Sequence, residues 1–268
     1  MNAVAISLAS EAVGSVGGFE IRNTMLMAWL AMGVLFLLAF CIRRTGYRLM
    51  PGRFQALIEL VVSGLYDLFA SIVQDDRMAR KFFPLTASIF IFIIIGNWMG
   101  ILPGVGSITI QGMHEGYMQA IPLFRSMNAD VNMTLAIAVF AIASVQFFGV
   151  WALGFRSYGS KFVAAPWKHP IQMFVGSLEM VGELSRIVSF TFRLFGNIFA
   201  GEVLLLVISY LVPYLAPVPF LAMELFVGLI QGLVFALLTA VFLKIAITEH
   251  EAHADHDGHD MGTAAPSF

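Results

Sequence analysis

Long apolar runs alternate along the chain with shorter segments that carry most of its Lys and Arg. A transmembrane helix needs about 20 mostly apolar residues. Five stretches meet this requirement: Thr24–Ile42, Pro84–Leu102, Val131–Phe155, Ile171–Val212 and Phe220–Thr248. The fourth would form roughly 63 Å of helix, so we expect it to tilt strongly or to begin near the membrane surface. Three prolines within Pro213–Pro219 predict a turn before the last helix.

A sixth segment, Phe54–Val73, has a different pattern. Its apolar residues recur at helical spacing, and Glu59 and Asp67 lie on other faces. This is typical of an amphipathic helix on or shallowly in the bilayer. The predicted fold class is therefore an all-α polytopic membrane protein with five membrane crossings plus one amphipathic interfacial helix. The last two helices are expected to form a long tilted hairpin.

Composition agrees with a membrane protein, because hydrophobic residues make up 59% of the chain and charged residues 12%. A soluble domain carries about 25% charged residues. The formal net charge of -2 gives no reason to expect a nucleic-acid partner.

The Lys and Arg residues are distributed unequally between the two sides, and this bias sets membrane orientation. The loops after the first and third spans hold Arg43, Arg44, Arg48, Arg53, Arg77, Arg80, Lys81, Arg156, Lys161 and Lys168. The opposite side holds only Arg22 and Arg125. The pattern predicts an N-terminus outside the cell and a C-terminus in the cytoplasm.

The domain organisation follows from these spans. We expect one membrane domain over 1–268, with an extracytoplasmic segment at 1–23, a helical membrane region at 24–248 and a disordered cytoplasmic tail at 249–268. The tail is rich in His and Asp, which could bind a metal. It lacks apolar anchors, however, and a solvated tail is the preferred interpretation.

A polar stripe runs along the fourth apolar stretch, with Arg193 at its centre. A guanidinium keeps its proton, and its insertion at bilayer depth costs roughly 3 kcal/mol. Residues three, four or seven apart share a helix face, and one broad face holds Glu179, Arg186, Ser189, Arg193 and Asn197, with Glu183 beside it. The stripe predicts water or facing charges along this side. A structural ion pair between Arg193 and a glutamate is the alternative.

Counting residues about the proline turn predicts which residues of the last two helices lie at the same depth. Gln231 would lie level with Arg193 and hold its orientation, and Glu224 would lie level with Glu202. Two carboxylates at one depth repel if both are ionised, so one would hold a proton. Glu179 and Glu183 come level with Lys244 by the same count. Glu202 points away from Arg193, roughly 13 Å further along the helix.

At these residues the chain resembles subunit a of the F-type ATP synthases. The resemblance rests on Arg193-Leu194-Phe195-Gly196-Asn197, Ala200-Gly201-Glu202, Gln231, Pro84 with Asn97 and Leu102-Pro103, and Asp130-Val131-Asn132-Met133-Thr134. It covers roughly 24 to 250. The resemblance implies a location in a membrane. We expect a bacterial cytoplasmic (inner) membrane, with a thylakoid membrane as the alternative.

The resemblance implies a stator subunit that is not an enzyme by itself and needs no cofactor or metal. Its expected partners are a rotor ring of subunit c, whose members each carry a carboxylate, the peripheral stalk subunits b, and membrane lipid. Two offset aqueous half-channels would reach the ring carboxylate from opposite sides, with Arg193 between them. Glu202, Glu224 and Asn197 would line the outer half-channel. Glu179, Glu183 and Ser189 are the candidates for the inner one.

One position departs from part of the family, since Glu202 and Glu224 are both glutamates where some members pair a glutamate with a histidine. This favours a carboxyl pair that shares a proton, or transfer mostly by water, and it leaves the coupling ion as H⁺ or Na⁺. The competing functions are a secondary transporter that uses Arg193 to bind an anionic substrate, and a structural membrane anchor.

Overall fold

The computed structural model describes residues 10–45, 52–102, 104–114, 117–154, 158, 170–213 and 215–248. Within these ranges the structure has six long helices: α1 Asn23–Thr45, α2 Arg53–Val73, α3 Asp76–Ile101, α4 Val131–Leu153, α5 Pro170–Leu211 and α6 Pro217–Thr248. Each is long and apolar enough to cross a membrane. The chain is thus an all-α polytopic membrane protein. Length and composition do not separate α2 from the five predicted crossings, so its interfacial placement stays a prediction.

Two short β-hairpins were not predicted. Ala12–Val16 (β1) pairs antiparallel with Phe19–Arg22 (β2), and Thr109–His114 (β3) pairs antiparallel with Tyr117–Pro122 (β4). The turn of the first hairpin has positive φ angles at Gly17 and Gly18, which glycine adopts without a steric penalty. A sequence search for membrane spans overlooks such strands, because they are short and lie outside the long apolar segments.

The second predicted span was placed to start at Pro84, but the helix that contains it starts earlier. The predicted end of this helix before Pro103 is confirmed. The helix α3 begins at Asp76, and Asp75 caps it by accepting hydrogen bonds from the backbone N–H groups of Arg77 and Met78. Pro84 lies inside the helix. Hydropathy marks only the apolar part, whereas the cap and the charged first turns belong to the same helix.

The last two helices match their predicted extents closely. The helix α5 is unbroken from Pro170 to Leu211. The helix α6 begins at Pro217 rather than at Phe220, so the turn is shorter than predicted. Proline is favoured at the first position of a helix, where its missing N–H has no helical partner to lose.

The two largest of four clusters of buried apolar side chains among the described residues hold α2 to α6 together. One joins α3, α4, α5 and α6 through residues that include Ile93, Ala138, Leu194 and Phe235. The other joins α2 to α3, α4 and α6, with Phe69 among its members. The predicted tail at 249–268 lies outside the described residues, as do Arg48, Arg156, Lys161 and Lys168.

Candidate functional site

The core packing of α5 determines which way Arg193 faces. Phe190, Leu194 and Ile198 lie one turn apart and are all buried in the main cluster. Ser189, Arg193 and Asn197 therefore share the neighbouring face, as predicted from their spacing. Ser189 and Asn197 are exposed and Arg193 is half-buried. This chain thus leaves one side of the arginine stripe open.

Within the described residues, Arg193 has no carboxylate partner. Its Nη2 donates to the hydroxyl of Ser189 at 3.3 Å, and its guanidinium lies 5.9 Å from the centre of the Phe190 ring. The alternative, a structural ion pair between Arg193 and a glutamate, is not seen among the described residues. Glu202 pairs with Arg125 and Glu183 pairs with Arg186 instead. No carboxylate of the described residues therefore offsets the positive charge of Arg193.

Gln231 contacts this stripe one turn from the predicted position. Its side-chain oxygen accepts a hydrogen bond from Nδ2 of Asn197 at 2.7 Å, and Gln231 itself is buried. Its amide oxygen is therefore used by Asn197, not by Arg193. Counting from a turn fixes depth only to about one helical turn of 5.4 Å, because it ignores how the helices cross.

Glu202 forms an ion pair with Arg125, a residue that was not predicted to belong to the site. Arg125 donates from Nε to both carboxylate oxygens, at 3.0 and 3.2 Å, and from Nη2 to Oε2 at 3.2 Å. Only 9% of the Arg125 side chain is exposed, against 29% for Glu202. Arg125 was noted only for its part in topology, because a loop arginine 77 residues away gives no spacing signal.

Glu224 lies beside Glu202 on the facing helix, as the hairpin count predicted. It is 4% exposed, and its carboxyl group packs so tightly against Gly201 that a side chain at 201 would overlap it. The two carboxyl groups are close enough for their charges to interact. The hairpin therefore brings two acidic groups together, and the loop that follows β4 adds the basic group Arg125 beside Glu202.

A buried amide chain lies next to this acidic pair. Asn128 donates to Oδ1 of Asn97 at 2.6 Å, and Asn97 donates to the carbonyl oxygen of Gly228 at 3.1 Å. Both side chains are essentially buried, and Gly228 is one turn from Glu224. Asn97 had been noted only for its place in the second span. A buried amide in an apolar span is itself a functional signal.

The proposed inner residues form a separate group on α5. Glu183 forms an ion pair with Arg186, and the guanidinium of Arg186 lies 4.6 Å from the centre of the Phe242 ring. Glu179 is half-buried one turn further along. Lys244, predicted at this depth, donates to the carbonyl oxygen of Ile72 at 3.0 Å and so ties α6 to the end of α2.

Among the described residues, no group of three or more His, Cys, Asp or Glu side chains is arranged to hold a metal ion. The His- and Asp-rich tail is outside this part of the chain, so its metal-binding alternative stays untested.

Comparison with known proteins gives one consistent result. The family model described as "ATP synthase A chain" matches residues 25–244. An ATP synthase subunit a from Legionella pneumophila (strain Corby) is 29% identical, covering 88% of this chain and 91% of that protein. One from Campylobacter jejuni subsp. jejuni serotype O:23/36 (strain 81-176) is 33% identical, covering 77% of this chain and 82% of that protein.

Proposed function

This chain belongs to the ATP synthase A chain family, and from that premise we propose that it is the stationary membrane subunit through which ions reach and leave the rotor of the synthase. Family membership supports an ion-translocating role in the membrane sector in general terms. The finer proposal is that Arg193 separates two offset half-channels. It rests on the residues of α5 and α6.

The observation that carries the proposal is the contrast between the arginines of the polar region. Arg125 and Arg186 each pair with a glutamate of this chain, while Arg193 has only the Ser189 hydroxyl within the described residues. A permanent cation of this kind stabilises the ionised form of a carboxylate that approaches it. A carboxylate on each subunit of a rotating c ring is the partner that this charge would serve.

The two half-channels would lie on either side of Arg193. We place Glu202, Glu224 and Asn197, with Gln231 as the partner of Asn197, on the outer path. Glu179, Glu183 and Ser189 form the inner path. An ionised ring carboxylate would take a proton from the outer path, rotate, and release the proton near Arg193 to the inner path. Because the guanidinium cannot give up its proton, it cannot relay protons directly between the paths.

Orientation and partners complete the proposal. The Lys and Arg bias favours an N-terminus outside and a C-terminus in the cytoplasm of a bacterial inner membrane. The open face of α5 around Phe192 and Asn197 would face the c ring, and subunits b and lipid would cover other surfaces. By itself the subunit would catalyse no reaction.

A transporter that binds an anionic substrate is disfavoured by the helices themselves. Such sites are typically built from helices broken near the middle of the membrane. Both α5 and α6 are continuous over their whole described lengths. Arg193 therefore lies on an intact helix face and not at a helix break.

The proposal predicts that Arg193→Ala abolishes ATP-driven ion pumping in the assembled complex while assembly persists. Without the guanidinium, the open face of α5 loses the positive charge that would favour the ionised ring carboxylate. Pumping would be followed in inverted membrane vesicles by quenching of a pH-sensitive dye, and assembly by the amount of purified complex. Arg44→Ala, the same change at an exposed position on α1, is the control. Coupled pumping by Arg193→Ala would refute the mechanism.

A further inference from the structure

Basic side chains share one exposed face at the start of α3. Arg77, Arg80 and Lys81 lie three or four residues apart, so they point the same way, and each is exposed. None of them forms an ion pair with a carboxylate of the described residues. Asp75 caps the helix, and Asp76 points to another face because successive residues are rotated by about 100°. This end of α3 therefore presents positive charge that the described residues do not neutralise.

Lys81 is held in place by aromatic rings. Its ammonium group lies 3.4 Å from the centre of the Trp151 ring on α4 and 5.8 Å from the centre of the Phe82 ring. The face of an aromatic ring attracts a cation without removing its charge. The ammonium group is thus fixed at one point of the surface and stays charged for a further partner.

An exposed apolar stripe of α4 leads away from this charge. Phe140, Ser144, Phe147 and Trp151 lie on one face of the helix, and each of the three aromatic residues is more than half exposed. The hydroxyl of Ser144 donates to the carbonyl oxygen of Phe140, so the stripe offers no unpaired polar group. Its length is roughly 16 Å, which is about half of the 30 Å hydrocarbon core and so the depth of one lipid leaflet.

We propose that this surface binds one anionic phospholipid, with the phosphate at Arg77 and Lys81 and an acyl chain along the stripe from Trp151 to Phe140. Basic surfaces on the cytoplasmic side of membrane helices bind anionic lipid headgroups, and the Lys and Arg bias predicts that this end of α3 is cytoplasmic. The inference uses the location of the chain in a membrane and does not depend on the roles proposed for Arg193.

The arrangement goes beyond a general excess of positive charge. Orientation in the membrane needs only basic residues near the ends of the spans. It does not require an ammonium group fixed over an interfacial ring at the end of an apolar stripe. The segment 155–169, which follows α4, contains three basic residues and no Asp or Glu. This segment therefore supplies no carboxylate that would compete with a phosphate.

Photo-crosslinking in the assembled complex tests the site. Phe147, an exposed residue of the stripe, is replaced by photoreactive p-benzoylphenylalanine, and the complex is placed in vesicles with equal amounts of phosphatidylglycerol and phosphatidylcholine. After illumination, the mass of this subunit identifies the attached lipid. We expect phosphatidylglycerol adducts to exceed phosphatidylcholine adducts at least about fivefold, the effect of one basic residue near an anionic lipid.

Charge variants at the site and away from it identify the cause of this preference. Lys81→Gln should lower the adduct ratio about fivefold, whereas Lys81→Arg should keep it. The matched control is Arg44→Gln, which removes the same charge from an exposed position of α1 on the same predicted side and should leave the ratio unchanged. Equal losses in Lys81→Gln and Arg44→Gln would overturn the proposal, because general surface charge would then select the lipid.

The crosslinked products contain two other outcomes that would overturn the proposal. An adduct ratio equal to that of the vesicle would show no preference for the anionic headgroup, and a crosslink to another subunit would show that a protein covers the stripe. Trp151→Leu keeps the stripe apolar but removes the ring under Lys81, so it should lower the ratio about two- to fivefold. An unchanged ratio in Trp151→Leu would contradict the role of the ring.

Discussion

At the scale of single residues, the surroundings of each arginine decide what it does. Arg186 pairs with Glu183 and lies over an aromatic ring, which satisfies its charge within the chain. Arg125 pairs with Glu202. Arg193 shares a helix with Arg186, but it faces the open side of α5. The sequence identified Arg193 by its cost in lipid, and the structure adds that no described carboxylate of the chain offsets that cost.

Gly201 is a residue whose lack of a side chain makes room for the site. Its position is filled by the carboxyl group of Glu224. Gly201→Ala should therefore displace the Glu224 carboxyl group, which is the far end of a flexible side chain, so we expect a net loss of about 1 kcal/mol, the low end for overpacked sites. Thermal unfolding of the purified protein would measure the loss.

The matched control for this change is Gly182→Ala on the same helix. Apart from its own helix backbone and chain neighbours, no atom of the described residues lies within 4 Å of the side chain it would add. Alanine is favoured over glycine in helices by about 1 kcal/mol. Gly182→Ala should keep or raise the unfolding temperature. If both variants unfold at the same temperature, the close contact between Gly201 and Glu224 is contradicted.

The buried amides make a second prediction at this scale. Asn97→Leu removes the acceptor for Asn128 and leaves a buried donor unpaired, which costs about 1–3 kcal/mol. The double variant Asn97→Leu with Asn128→Leu removes both partners and should lose less stability than the sum of the single variants. Thermal unfolding of all three variants measures the difference. Simple additivity would show that the 2.6 Å contact does not couple the two residues.

At the scale of helices, α2 poses the clearest topological question. The helix α1 starts beside Pro122, where Asn23 donates to its carbonyl oxygen, and α2 ends beside Lys244. Only residues 46–52 separate α1 from α2. If α1 crosses the membrane, α2 begins at the opposite face, which the Lys and Arg bias predicts to be cytoplasmic. The contact of its other end with Lys244 places that end at the same face. This supports the interfacial placement predicted from its amphipathic pattern.

Single cysteines test that placement, since the chain has one native cysteine, Cys41, to remove. We expect Arg53→Cys and Ser71→Cys, near the two ends of α2, to react with a membrane-impermeant thiol reagent from the cytoplasmic side only. Glu20→Cys on β2 should react from the opposite side only. Labelling of Arg53→Cys and Ser71→Cys from opposite sides would mean that α2 crosses the membrane.

At the scale of the whole molecule, the end where α1 and α4 begin is held together by connections as well as by helices. Asp130 caps α4 through the N–H of Asn132 and also accepts hydrogen bonds from the hydroxyls of Ser10 and Thr24, at 2.6 and 3.0 Å. The N-terminal segment, α1 and α4 thus meet at one buried carboxylate. The loop that follows β4 supplies Arg125 to the same end of the molecule.

The helices were predictable from sequence because hydropathy and length alone define long apolar helices. The face of Arg193 was predictable because helical spacing is fixed, and the Glu202–Glu224 neighbourhood followed from the turn between α5 and α6. Arg125 and Asn128 were missed because their contacts join distant parts of the chain. The partner of Gln231 was misplaced because crossing geometry is absent from a residue count.

The central claim is that Arg193 keeps the two ion paths apart, and passive proton leakage tests it most directly. The measurement uses vesicles that contain the assembled complex with its rotor chemically cross-linked, so that rotation cannot carry protons. We predict that the unaltered protein and Arg44→Gln stay tight to protons under an imposed membrane potential, while Arg193→Gln leaks. An Arg193→Gln complex as tight as the unaltered one would contradict the account.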